Sequence, residues 1–330
     1  MKQSKWKEIL TSNQMFIVYI IVVLCVAISM KTPAFAEVST IITLARALLV
    51  TLCFAICEMV VIISGGIDVS FPAIACASLY IPICVFKEHD IDNAFVFAAA
   101  IGLAIGIINA VLISLLQIPP LIATLGVSSI TQGMLLTFFG TRQISRLPST
   151  IAALNKVYLF TYQSKAGNNY SMTALILVPI ILYIVVYIVL KYTMLGRGIY
   201  AIGGDANAAR IAGFNVVRLQ FIVYMFSGVM AGIAGMIYCV LNKAANPLNL
   251  MGSEMMIIAA VVVGGTRMSG GHGTVLGTIL GVVLIGLIQN NLIMLGVPTY
   301  WQTFVVGAVI VVGTAITSLK ELAVQKNQKV

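Results

Sequence analysis

The sequence predicts an all-α polytopic membrane protein of about ten transmembrane helices, and three observations lead there. Only 9% of the residues are charged while 60% are hydrophobic, against roughly a quarter charged in a soluble domain. Mean hydropathy is +1.07. The apolar residues fall in runs long enough to span a bilayer, separated by short polar or glycine-rich stretches. The pattern reads as a single transmembrane domain over residues 1–330.

Taken in order, the runs lie at about 14–30, 39–63, 69–86, 93–117, 121–140, 173–190, 219–241, 254–264 with its continuation, 274–296 and 302–318. The eighth is short and leads into a glycine-rich turn. Lys2, Lys5 and Lys7 precede the first run, and Ala34-Phe35-Ala36 resembles a cleavage site. That run is long for a signal peptide and more membrane helices follow, so an uncleaved first helix is expected, with its N-terminus in the cytoplasm. An even number of spans returns the C-terminus to the same side. The basic residues agree: Lys191, Arg197, Arg210, Arg218, Arg267 and Lys320 join the N-terminal lysines on the cytoplasmic side. Of the opposing set, Arg142, Arg146, Lys156 and Lys165 cluster in one long external loop, 141–172. The net charge of +9 therefore orients helices against the membrane and does not point to nucleic acid.

Several spans carry small residues four apart: Gly102 and Gly106, Gly228 and Gly232, Gly277 and Gly281. Such faces let backbones approach closely, within a dense bundle or across a homodimer contact. The six cysteines lie in apolar runs. Cys53 and Cys57 are one helical turn apart and could meet a soft metal, but such cysteines are expected as small buried hydrophobes.

Polar groups inside the spans need partners, since a charge at mid-bilayer costs ~3 kcal/mol. Arg46 and Glu58 share the second span but stand ~18 Å apart along it, too far to pair. Asn109, Gln289, Asn290 and Asn291 need hydrogen bonds. They line a polar route for a hydroxylated solute, or they act as interhelical glue. Two broken regions interrupt the spans. Ile63 to Pro72, ISGGIDVSFP, contains two glycines and Asp68, and irregular backbone at membrane depth survives only where protein or a cavity satisfies it. Gly264 to Gly273, GGTRMSGGHG, resembles a phosphate loop but lacks the G-K-[ST] ending and a preceding strand. Neither His272 nor His89 has neighbours in sequence that would build a metal or nucleophile site. No catalytic constellation, metal site or cofactor site is expected on this chain.

One of only two long polar interruptions is Lys191 to Arg218. Gly203 and Gly204 break the chain, Asp205 stands where a helix N-cap belongs, Ala206 to Ala212 make about two turns, and Gly213 supplies a left-handed stop. So short a helix is marginal in water. It rests on its own bundle or on another protein.

Four stretches together resemble the ribose-type permease subunits of binding-protein-dependent ABC importers. They are Gly65-Gly66-Ile67-Asp68-Val69-Ser70, Pro120 to Gly126 (PLIATLG), Tyr200 to Gly204 running on through Ala208-Ala209-Arg210 to Gly213, and Gly264-Gly265-Thr266 with Ser269-Gly270-Gly271 and Gly273. Two departures stand out: Phe71-Pro72 where that family usually has Val-Gly, and Gln132-Gly133 where it often has Arg-Gly.

The resemblance implies a type II-like permease bundle in the plasma (inner) membrane of a prokaryote, paired with a second copy or a homologous permease. It also implies an ABC ATPase subunit that carries ATP and Mg, and a soluble sugar-binding protein that delivers a pentose, hexose or furanose-like cargo. Residues 191–218 become the cytoplasmic coupling loop, with Gly203, Gly204, Asp205, Ala208, Ala209, Arg210 and Gly213 at the ATPase. Asp68, at the position of that family's Asp, holds the backbone of the broken loop or borders the solute route; with Ser70, Asn109, Thr124, Gln289 and Asn290 it makes up the expected route. Import of nucleosides or of another furanose-like signal, and an ion-gradient mechanism using Glu58, are the rival readings.

Overall fold

The computed structural model describes residues 13–86, 93–164 and 167–291, with scattered positions between 296 and 311. The expected span at 302–318, the acidic stretch around Glu88 and the terminal lysines lie wholly or mostly outside the described residues. Nine apolar helices are present among the described residues. Six are long and apolar enough to cross a membrane, and three are shorter.

Helix α1 (Asn13–Lys31) leads through a short 3-10 turn into α2 (Val38–Ile63). The irregular segment 64–70 then turns the chain into α3 (Phe71–Phe86). Pro72 falls in the first turn of α3, where its missing N–H costs no helical hydrogen bond, so the Phe71-Pro72 departure starts a helix cleanly. Helix α4 (Ala94–Ala110) ends in a π-helical turn (Val111–Leu115), and α5 (Pro120–Phe139) follows.

The long loop folds on itself. A short helix α6 (Ser149–Leu154) precedes an antiparallel hairpin, β1 (Tyr158–Gln163) and β2 (Asn169–Thr173). Then come α7 (Leu177–Tyr192), α8 (Met194–Gly204), α9 (Ala206–Ile211) and α10 (Val216–Asn242). The short α11 (Glu254–Val263) and α12 (Val275–Asn291) follow.

Successive apolar helices run up and down, which gives the bundle two ends. At the loop end, α2 finishes beside α8 and the 264–273 segment. Gln14 is there too, donating its amide to Thr274 Oγ1 at 2.8 Å. At the hairpin end, Ile144 and Ala245 exchange backbone hydrogen bonds of 2.9 and 2.8 Å, and the Tyr80 hydroxyl donates to the Arg142 carbonyl at 2.6 Å.

The glycine pairs pack within the chain. A Cβ at Gly102 would meet the Gly228 carbonyl, one at Gly228 would lie 2.7 Å from Gly106 Cα, and one at Gly281 would strike the Ala260 carbonyl. Helices α4 and α10 therefore touch backbone to backbone, as do α11 and α12. Those faces are filled inside the bundle, which is the dense-packing alternative of the two the sequence allowed. Cys53 and Cys57 sit in the core, where the Cys57 thiol donates to the Cys53 carbonyl at 3.0 Å.

Candidate functional site

The four stretches that are separate in sequence converge on the segment that follows α2. Gly65 has φ +87°, which reverses the chain at little steric cost. Gly66 lies beneath Tyr224 of α10, and a Cβ there would strike the Tyr224 hydroxyl. The returning backbone dips back into the bundle. The Asp68 amide donates to Glu58 Oε1 at 3.2 Å, and Glu58 lies ~7.5 Å short of the helix end at Ile63 by helical rise.

Asp68 is the hub. Its Oδ1 accepts the Ser70 amide at 2.8 Å and the Ser70 hydroxyl at 2.6 Å. Its Oδ2 accepts the Ser227 hydroxyl of α10 at 2.8 Å. Asn109 of α4 donates its amide to Ser70 Oγ at 2.7 Å. From the second stretch, Thr124 of α5 accepts the Val69 amide at 3.2 Å while its hydroxyl donates to the Pro120 carbonyl at 2.9 Å. Glu58, Asp68, Ser70, Asn109, Thr124 and Ser227 are all fully buried. Irregular backbone at this depth is thus satisfied by protein from four helices, the condition a membrane interior imposes.

Among the described residues, Glu58 Oε2, Asn109 Oδ1 and the Tyr224 hydroxyl have no hydrogen-bond partner. Unpaired buried polar atoms cost ~1–3 kcal/mol each, so the cluster is less than fully satisfied in this arrangement.

The third and fourth stretches close the loop end. The Gly271 amide donates to the Ile63 carbonyl at 2.9 Å, and a Cβ at Gly203 would strike that same carbonyl while lying 2.6 Å from Gly271 N. A Cβ at Gly270 would be 2.9 Å from Gly65 Cα. Three glycine-rich segments therefore meet backbone on backbone. The Tyr200 hydroxyl donates to the Gly273 carbonyl at 2.8 Å and binds α8 to the same junction. Burial pushes the Tyr200 phenol above its ordinary range, so it remains a neutral donor across the working pH range.

From this junction α8 leads directly into α9. Asp205 Oδ1 accepts the Asn207 and Ala208 amides at 2.8 and 3.0 Å, an N-cap of the predicted kind worth ~1 kcal/mol. Gly213 has φ +89° and ends the helix. Ala209 faces inward onto Ile202, Phe214, Val216 and Leu219, and that small apolar cluster holds down a helix too short to stand alone. Ala208 and Arg210 face outward. So does Ile211, a large apolar side chain 89% exposed, which the pattern of small residues gave no reason to single out.

Of the six residues expected on a solute route, Asp68, Ser70, Asn109 and Thr124 meet in one cluster. Gln289 and Asn290 lie apart on α12, where Gln289 Nε2 contacts Met256 Sδ and Asn290 Nδ2 donates to the Gly286 carbonyl at 2.8 Å. Sequence reasoning missed Ser227 and Tyr224. Ser227 directly precedes the Gly228 packing face, and that adjacency was the one signal available.

A family model described as "Branched-chain amino acid transport system / permease component" matches residues 9–313. The chain is 31% identical over 299 residues to the ribose import permease protein of Bacillus subtilis strain 168, covering 90% of each chain. It is 31% identical over 301 residues to a probable ABC transporter permease protein of Escherichia coli K12, covering 91% of this chain and 88% of that one. It is 32% identical over 277 residues to the D-allose transport system permease protein of the same organism, covering 82% and 80%. No solved structure is significantly similar to it.

Proposed function

The chain belongs to this family of transport-system permease components, and from that premise we propose that it is the membrane-spanning subunit of an ATP-driven importer for a monosaccharide. It is a transport subunit and not an enzyme, and ATP and Mg act on a separate ATPase subunit. Its relatives' names include ribose, D-allose and galactose with methyl galactoside, which makes an aldose or a furanose-like sugar the cargo class. Residues 1–330 act as one permease domain beside a second copy or a homologous permease.

One observation carries the mechanism. The exposed knob α9 is joined through Gly203 to the Ile63 carbonyl, and Ile63 ends the helix that holds Glu58. A push on the knob therefore moves α2 and the segment bearing Asp68 with little slack, because the contacts are backbone on backbone. Asp205, Ala208, Arg210 and the protruding Ile211 form the docking face for the ATPase subunit. Gly203, Gly204 and Gly213 shape it, and Ala209 secures it from behind. ATP-driven closure of the paired ATPases brings two such knobs together, and alternating access follows from the difference in contact energy between the two states. The chain end near Gln14 and the 191–218 loop face the cytoplasm. The hairpin end, with the exposed Arg142 and Arg146 around a cleft of about 1090 Å³, faces outward to receive the binding protein.

The test is reconstitution of the permease with its ATPase and binding protein in liposomes, supplied with radiolabelled D-ribose, D-allose, D-galactose and a nucleoside. Uphill uptake of an aldose that requires internal ATP and survives collapse of ion gradients is expected. Uptake that follows the gradient and ignores ATP would replace the proposal with an ion-coupled carrier using Glu58. Preference for the nucleoside would move the cargo class.

A further inference from the structure

We infer that a second cavity, at the hairpin end between α2, α10 and α11, is a monosaccharide site inside the permease where the cargo rests after leaving its carrier. The inference builds on the sugar-permease reading above. The cavity measures about 340 Å³, at the low end of the ~300–1,000 Å³ typical of small-molecule sites. That is room for one sugar ring with some water.

Its walls divide into two chemistries. Tyr238, half-buried, offers aromatic surface for the C–H face of a sugar ring, and the buried Phe54 backs the wall. Arg46, Thr51, Asn242 and Ser253 supply polar groups. Arg46 Nη1 donates to the Ser171 carbonyl at 3.1 Å, and Arg46 has no acidic partner among the described residues. Its guanidinium has five N–H donors and no acceptor, so donors remain for a ligand. A cation held on a membrane helix faces protein or a water-filled cavity and marks a solute pathway by default. The Asn242 amide nitrogen donates to the Tyr238 carbonyl at 2.9 Å, which leaves Oδ1 to accept. The Ser253 hydroxyl donates its proton to the Leu250 carbonyl at 2.6 Å, so only lone pairs are left for the cavity.

Fixed donors on one residue and fixed acceptors on two others suit sugar hydroxyls, each of which both gives and takes a hydrogen bond. No carboxylate is among the lining residues, so an organic cation finds a repelling charge and no counter-charge. Helices α2 and α10 line this cavity at one end and hold the Glu58–Asp68–Ser227 cluster further along. Arg46 stands ~18 Å from Glu58 along α2. A shift of α2 against α10 therefore alters the cavity and the cluster together.

The experiment uses the complete reconstituted assembly and the radiolabelled aldose that the wild type accumulates. Thr51→Phe fills the cavity, and Arg46→Gln removes the charge with less steric change. In either variant, uptake is expected to fall at least tenfold, while co-purification with the ATPase and binding-protein-stimulated ATP hydrolysis stay within twofold of wild type. Tyr238→Phe is expected to shift the ratio of uptake between two aldoses by threefold or more. Uptake within twofold of wild type in both Thr51→Phe and Arg46→Gln would overturn the site. Parallel loss of uptake and stimulated hydrolysis in both would also overturn it, since the residues would then be structural. Failure of the sugar-importer reading shows separately, as a wild-type assembly that accumulates no aldose.

Discussion

The two ends of the bundle are built from different materials. At the loop end, glycines from three distant segments press backbone against backbone, and the Ile63 carbonyl is covered by Gly203 and Gly271. At the hairpin end one backbone pair, Ile144 with Ala245, is joined by side chains that reach to main-chain carbonyls, Tyr80 to Arg142 at 2.6 Å and Arg46 to Ser171 at 3.1 Å, and two cavities lie beside them. Backbone contacts cannot relax by changing rotamer, so they transmit displacement. Side-chain contacts can re-form around a ligand. The difference matches a chain driven from one end and loaded at the other.

The largest effect is expected from one of two adjacent glycines. Gly203→Val drives a side chain into the Ile63 carbonyl and Gly271, and should cost ~3 kcal/mol or more. That loss would be seen as aggregation of the detergent-solubilised protein on mild heating. Gly204→Ala meets nothing within 4 Å and should stay within ~0.5 kcal/mol of wild type in the same assay. Equal tolerance at both positions would mean that the loop end is not tightly packed.

Next in size is Asp68→Ala, which strands the Ser70 amide, the Ser70 hydroxyl and the Ser227 hydroxyl in a buried site. A loss of ~3 kcal/mol is expected from expression yield and thermal stability together. Asp68→Asn keeps one acceptor oxygen and should lower uptake more than expression. Equal loss of both would make Asp68 purely structural.

Ile211→Asp leaves the fold untouched because the side chain is 89% exposed. Affinity for the ATPase subunit should fall by ~2 kcal/mol, or roughly thirtyfold, if Ile211 is an interface anchor. Binding unchanged in a pull-down titration would move the docking face elsewhere. The smallest effect belongs to the hairpin: Thr161→Ala removes an exposed 3.0 Å contact with Ser171 and should change stability by less than ~0.5 kcal/mol.

Much of this architecture was legible in the residues themselves. Nine of the expected spans match helices within a few positions, because runs of apolar residues long enough to cross a bilayer have few other ways to satisfy their backbone. The α9 cap and stop were legible for a local reason: Asp205 and Gly213 act on their own neighbours. The convergence of Gly65, Gly203 and Gly271 was not, since each glycine announces a turn or a close approach without naming its partner. Glu58 was recognised as needing company, but its partner is the main-chain amide of Asp68, and no residue pattern encodes a backbone donor. The hairpin escaped notice because Tyr158 to Thr173 is short, interrupted and mostly exposed. Ile211 escaped for another reason: which way one residue of a two-turn helix faces depends on the packing beneath Ala209.

If force applied at α9 drives uphill movement of a sugar, uptake must depend on the subunit that supplies that force. Liposomes containing the permease, its binding protein and internal ATP are compared with and without the ATPase subunit. Accumulation above the external concentration is predicted only when the ATPase is present, and Ile211→Asp should lower it at limiting ATPase, in step with its weaker docking. Sustained accumulation by the permease without the ATPase would mean that the drive does not enter through α9.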